Sequence, residues 1–249
     1  MIGIVGGVGP LAGLDIFKKI IEETIATKDQ EHIPVILSSQ PHRIADRTAF
    51  LLGKSQENPA YALLNIIQEL EKSGAKVAAI PCNTAHAPAI FEHITEALQK
   101  TDSTIQLLHL VEETAKFIHT HYPNQKVGVL STTGTRDTRL YTDTLAKFGI
   151  ESIAPQDDLQ HSIHQAIYNE EYGIKAFSSP VTKKAQDDLI FAVSELKKQG
   201  AQLIVLACTE LPLAFTENSY FDLPTIDPNR VLARALISET NPEKLKPLF

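Results

Sequence analysis

Cysteine is scarce in this 249-residue chain, which has two, Cys82 and Cys208. That is too few for a disulfide-stapled secreted scaffold, and no Cys-x2-Cys spacing is present to suggest a structural zinc site. Basic charge is also short. Lys plus Arg number 23 against 30 Asp plus Glu, a net charge of −7 with no long basic block, which argues against nucleic acid and anionic membrane as partners. No apolar run approaches the roughly 18 residues needed to cross a bilayer. The N-terminal MIGIVGGVGP carries neither a charged n-region nor a cleavage pattern, so a cytoplasmic protein is expected. What is present is ordinary for a globular protein: 43% hydrophobic and 21% charged residues, in a length that fits one large α/β domain or two small ones.

Apolar, β-branched runs of strand length recur at Ile2–Val5, Ile33–Leu37, Val77–Ile80, Ile105–Leu108, Val127–Leu130 and Leu203–Leu206, with amphipathic stretches between most of them. Strands alternating with helices predict parallel sheets covered by helices. The runs are continuously apolar, as strands buried on both faces are. Gly74 and Gly200 each end a helix just before a strand, and Pro228 after Asp227 opens a last helix over Asn229–Ile237.

Those two glycines begin an internal repeat. Glu69–Thr84 (ELEKSGAKVAAIPCNT) laid over Glu195–Glu210 (ELKKQGAQLIVLACTE), at an offset of 126, matches Glu, Leu, Lys, Gly, Ala and Cys. At an offset of 125, Ile2–Val5 and the loop to Gly9 lie over Val127–Leu130 and the loop to Gly134. Each half therefore opens with a strand and a Gly-containing loop, then later runs helix, Gly, strand, Cys. The expected fold is two similar Rossmann-like α/β domains related by a pseudo-twofold, with the site in the cleft between them. Residues 1–100 and 217–249 form the first domain and 101–216 the second. Each cysteine then lies past the carboxyl end of a parallel strand, where open α/β sheets bind ligands.

Four roles compete for the two thiols: a disulfide, a metal site, inert burial, and acid/base chemistry. Local sequence favours the last. Cys82 precedes Asn83 and Thr84, and Cys208 precedes Thr209 and Glu210, each where a strand gives way to a loop or helix. Backbone N–H groups in such turns lower a thiol's pKa and can bind a carboxylate. One thiolate could remove an α-proton from one face of an amino acid while the other thiol returns a proton to the opposite face, inverting the carbon. Asn83, Thr84 and Thr209, adjacent to the thiols, are assigned to the α-carboxylate. Thr133, in the second half's counterpart of the Gly6–Pro10 loop, either contacts ligand or caps a helix starting near Asp137.

The segments GIVGGVGP (Gly3–Pro10), PCNTAH (Pro81–His86), STTGT (Ser131–Thr135), ACTELPL (Ala207–Leu213) and DPNRVLARA (Asp227–Ala235) occur in this order over nearly the whole chain. In them the chain resembles the aspartate/glutamate racemase superfamily, in its aspartate racemase branch. Glutamate racemases generally open with a DSG-type motif and follow the second cysteine with Thr-His, unlike Gly6–Pro10 and Cys208-Thr209-Glu210 here. Arylmalonate decarboxylase-like relatives keep one of the two cysteines, whereas this chain has both. Val8 stands where many members carry Met. The resemblance implies a racemase without pyridoxal phosphate or other cofactor, without metal, with two catalytic cysteines, and assembled as a homodimer. It also implies that Arg47 meets the substrate's side-chain carboxylate and that Lys175 assists at that end.

A guanidinium fork suits a carboxylate, although Arg47 could instead be a loop cation paired with Asp46 or Glu57, and Arg43 competes with it. The Gly6–Gly9 loop lacks a proper dinucleotide or Walker pattern. The pairs His119/His121 and His161/His164 lack a convincing third metal ligand, and His86 could tune Cys82 or only pack. The expected activity is interconversion of L- and D-aspartate. The alternatives are a glutamate or broad-specificity amino-acid racemase, or a non-catalytic amino-acid-binding protein.

Overall fold

The computed structural model describes residues 1–215 and 217–248. Residue 216, where the sequence expectation ends the second domain, and residue 249 lie outside the described residues. By compactness the chain divides into two units, Met1–Glu113 with Asn229–Phe249, and Thr114–Pro228.

The first unit contains β1 (Ile2–Gly6), α1 (Pro10–Glu23), β2 (Val35–Ser39), α2 (Arg47–Leu51), α3 (Ala60–Lys72), β3 (Val77–Ala79), α4 (Pro88–Gln99) and β4 (Gln106–Leu108). Its four strands are parallel in the order β2-β1-β3-β4. Helix α5 (Leu110–His121) crosses the division between the units. The second unit continues with β5 (Val127–Ser131), α6 (Thr133–Asp137), α7 (Leu140–Lys147), β6 (Ser152–Ile153), α8 (Asp157–Tyr168), α9 (Lys183–Lys198), β7 (Leu203–Ala207), β8 (Ser219–Tyr220) and β9 (Leu223–Ile226). Its sheet runs β6-β5-β7-β9-β8, parallel except for the β8–β9 pair. The closing helix α10 (Pro228–Thr240) begins at the proline, which needs no N–H partner at that position.

All six anticipated strands form, with ends displaced by no more than two residues. Strands β1, β5 and β7 are buried along their whole length, as their unbroken apolar runs require. The repeat extends into three dimensions within each unit. Order β2-β1-β3-β4 is matched by β6-β5-β7-β9. Gly3 of β1 is pressed against Leu70 and Ala75, and Gly128 of β5 against Leu196 and Ala201, which are the same pairs at an offset of 126. A Cβ at either glycine would lie 3.0–3.1 Å from the alanine methyl, so the central strand sits close under its helix only because this position has no side chain. Gly74 and Gly200 leave their helices with φ of +98° and +95°, the left-handed turn that lets the chain drop directly into β3 and β7.

Among the described residues no helix is long and apolar enough to cross a membrane.

Candidate active site

In the first unit, β3 ends at Ala79 and the chain passes through Ile80 and Pro81 to Cys82. A 3-10 turn, Asn83–His86, follows, and all four of its residues are buried. Cys82 is a free thiol, 7% exposed, packed in one apolar cluster with Val8, Ile80 and Ala85. His86 Nδ1 lies 2.8 Å from the Cys82 carbonyl oxygen. A carbonyl only accepts, so Nδ1 carries the hydrogen and donates it. Burial pushes His86 well below the usual imidazole range, and neighbouring His109 adds to this, so a neutral ring pins the cysteine backbone. Its faces are covered by Phe91, stacked at 4.9 Å between centroids, and by His109, edge-on at 4.7 Å. His86 thus both packs and holds Cys82. It ends the 3-10 turn, and α4 begins two residues later at Pro88.

Helix α2 packs on this turn and brings Arg47 to it. Asp46 caps α2, its carboxylate accepting from Ala49 N–H at 2.6 Å. Arg47 is buried, and its guanidinium donates to the carbonyl of Val8 at 3.0 Å and of Ala45 at 3.3 Å. It is therefore not an exposed loop cation, and it is anchored to the Gly6–Pro10 loop beside Cys82. Arg43 is committed elsewhere: it meets the exposed Glu69 carboxylate at 2.8 Å and Gln40 at the same distance.

In the second unit Cys208 directly follows β7 and is 6% exposed, packed against Leu130, Ile174, Leu206 and Leu211. Register Ser131↔Ala207 sets the ends of β5 and β7 side by side, so Thr132-Thr133 and Cys208-Thr209 leave adjacent strands. Helix α6 begins at Thr133, earlier than the sequence suggests. Its cap is Thr132, whose hydroxyl accepts from Thr135 N–H at 3.3 Å. Thr133 is half-buried, and its N–H donates to His164 Nδ1 at 3.4 Å.

The Cys208 thiol donates to Glu210 Oε2 at 3.0 Å, and Lys175 Nζ meets Glu210 Oε1 at 2.6 Å. Glu210 is buried in this line. Burial pushes the Cys208 thiol well above its ordinary range, the Glu210 carboxylate adds to the shift, and Lys175 opposes it. Burial disfavours the Lys175 ammonium, but Glu210, Cys208 and Tyr168 together outweigh burial and hold it above the usual lysine range. Tyr141 of α7, hydrogen-bonded to Thr114, faces the same thiol. Burial raises this phenol far above its ordinary value, so it stays neutral.

Each unit thus assembles a thiol beyond a central strand, a hydroxyl or amide neighbour on the same turn, and a buried or largely buried cation: Cys82, Asn83, Thr84 and Arg47 in one, Cys208, Thr209, Thr133 and Lys175 in the other. Sequence reasoning assigned no role to Glu210, which the structure places against the Cys208 thiol. Its signal was available, because it stands two residues after Cys208 in ACTELPL. Of the two histidine pairs, His161 is exposed and the other three members are engaged. His119 Nδ1 lies 3.1 Å from the Phe148 carbonyl oxygen, His121 packs on Phe117, and His164 stacks on Tyr168. Among the described residues no group of three or more His, Cys, Asp or Glu could hold a metal ion.

Known proteins share this architecture. Over 243 residues, covering 96% of this chain and 97% of the relative, it is 30% identical to the broad specificity amino-acid racemase RacX of Bacillus subtilis. The solved aspartate racemase of Picrophilus torridus superposes with a TM-score of 0.76 at 29% identity, over 96% of this chain and 93% of that one. The glutamate racemase of Francisella tularensis, solved with D-glutamate, shares the fold at a TM-score of 0.65 and 17% identity, covering 100% of this chain and 83% of that one. The model of the Asp/Glu/Hydantoin racemase family matches residues 5–236. With two sheets of the same strand order and a cysteine past the same strand of each, this chain belongs to the Asp/Glu/Hydantoin racemase family.

Proposed function

We propose that the protein racemises aspartate without a cofactor, with Cys82 and Cys208 as the two acid/base groups. The observation that carries this is the equivalence of the thiols. Both are free, nearly buried, and positioned just past the second central strand of their own sheet, β3 or β7. A reaction whose substrate and product are mirror images needs two groups that exchange roles between directions, and duplicated halves supply such a pair. Asn83, Thr84 and Thr209 bind the α-carboxylate, and Thr133 lies at the neighbouring strand end. Arg47 receives the side-chain carboxylate, with its fork oriented by the Val8 and Ala45 carbonyls. Lys175, clamped by Glu210, contributes positive charge from the second unit. A lysine held as an ammonium is a poor Schiff-base nucleophile, in keeping with chemistry that uses no carbonyl cofactor. We also propose a homodimer, to be checked by light scattering.

The test is α-deuterium exchange in heavy water followed by NMR, with L- and D-aspartate, glutamate and amino acids lacking a second carboxylate. Exchange with inversion is expected for aspartate. Cys82→Ser and Cys208→Ser should each lower racemisation by at least about 100-fold, the scale of a lost general acid or base. Normal turnover in either variant would sink the two-thiol mechanism. Similarity to the broad specificity racemase of Bacillus subtilis favours a second outcome, in which several amino acids exchange and Arg47 does not select among them.

A further inference from the structure

The two thiols are equivalent in topology but not in surroundings. Cys208 Sγ is 3.0 Å from Glu210 Oε2, and a carboxylate can only accept, so the hydrogen lies on sulfur. Lys175 fixes Glu210 through an ion pair, its Nζ 2.6 Å from the other carboxylate oxygen. Within the first unit, no carboxylate among the described residues hydrogen-bonds the Cys82 thiol. The neighbour on its own turn is His86, which reaches the Cys82 carbonyl rather than the sulfur.

We propose that Glu210, anchored by Lys175, is a positioning residue that holds the proton on Cys208 in the resting protein, so that Cys208 starts as the acid and Cys82 as the base. This rests on the two-thiol mechanism above. In the first turnover direction the substrate Cα–H bond breaks, its proton passes to the Cys82 thiolate, and the carbon's electron pair takes the Cys208 proton. Cys82 ends as thiol and Cys208 as thiolate. Lys175 makes that product state accessible, because the new thiolate faces an ion pair with no net charge instead of a lone carboxylate. Resetting the protein requires Cys208 to regain a proton and Cys82 to release one to solvent. Among the described residues, the charged and titratable groups shown to act on or face Cys208 are Glu210, Lys175 and Tyr141. Tyr141 remains neutral, which leaves the Glu210–Lys175 pair to set the proton's position.

The test reads the two thiols separately. Alkylation by iodoacetamide is followed across pH, and each cysteine-containing peptide is quantified by mass spectrometry. The two sulfurs belong to residues of nearly equal exposure, 7% and 6%, and the pH midpoint of each reaction does not depend on access. Cys82 should react at lower pH than Cys208. Glu210→Gln, which removes the anion and offers an N–H to a thiolate, should bring the Cys208 midpoint down by at least one pH unit, while Glu210→Asp keeps it high. Racemisation should fall at least 10-fold in the Gln variant and recover partly in the Asp variant. Equal midpoints in the unmodified protein, or an unchanged Cys208 profile in a folded Glu210→Gln variant, would overturn the proposal. If the Gln variant does not fold, the order of the two midpoints in the unmodified protein decides. Alkylation needs no turnover, so it separates the two claims. High Cys208 protonation without α-deuterium exchange refutes the racemase mechanism alone, and exchange with equal midpoints refutes the role of Glu210 alone.

Discussion

Burying a histidine next to Cys82 makes stability depend on pH. Unfolded, His86 binds a proton near its ordinary value of 6.5; folded, it does so only well below that. Below pH 6.5 the unfolded chain therefore holds more protons than the folded one. The contribution of neutral His86 is fully present above that pH and is lost as pH falls toward the folded value, by up to about 1.4 kcal/mol per pH unit. His86→Gln should flatten the fall in stability between about pH 6.5 and 5 relative to the unmodified protein, measured by urea denaturation. It should also cost about 1 kcal/mol at neutral pH if the hydrogen bond to Cys82 is weakened. An equally steep pH dependence in the variant would mean that other groups carry it. Arg47→Lys gives a sharper test of the first-unit cation. A lysine keeps the charge but cannot hold the Val8 and Ala45 carbonyls while presenting a planar fork. KM for aspartate should rise at least about 10-fold with a smaller change in kcat. At this scale the sequence was informative about the thiols and their immediate neighbours. It did not separate Arg47 from Arg43, because both are cations in one loop region, and their partners, Val8 and Glu69, lie 39 and 26 residues away.

Elements carry the side chains to their places, and short ones do so on few interactions. Helix α2 has five residues, and its N-terminus is satisfied by Asp46. Asp46→Ala should destabilise the protein by about 1 kcal/mol and loosen Arg47, raising KM for aspartate, whereas Asp46→Asn should retain most of both. A KM unchanged in Asp46→Ala would show that Arg47 is held by its carbonyl partners alone. The duplicated strand–helix contact makes another prediction. A Cβ at Gly128 would meet Ile204 at 2.7 Å, Ala201 at 3.1 Å and Leu196 at 3.2 Å, so Gly128→Val should cost about 1–3 kcal/mol by overpacking, seen as a lower urea midpoint. The long apolar runs that made β1, β5 and β7 legible are local signals. Strands β6 and β8 are two residues each and β9 contains Pro224, so neither length nor periodicity marks them. They exist because the edge of the second sheet offers them partners.

On the scale of the whole molecule, the first unit is discontinuous in sequence. Helix α10 returns to it, burying Leu232, Ala233, Leu236 and Ile237. Arg230 and Arg234 pair with Glu22 and Glu23 at the end of α1, and Asn229 donates to Asp15 at 2.9 Å. Ending the chain at Pro228 should therefore unfold the first unit, with loss of the α-deuterium exchange of aspartate and of the cooperative urea transition. Retained exchange would show that α10 is dispensable. The sequence by itself determined the duplicated α/β frame and the two cysteines at matching strand ends. Buried parallel strands, helix-ending glycines and an offset repeat are all written in neighbouring residues. Only the tertiary structure decided what faces each thiol. Lys175 and Glu210 are 35 residues apart and meet through an ion pair, and a charge's partner depends on which segments the fold brings within hydrogen-bond reach, which no local pattern encodes.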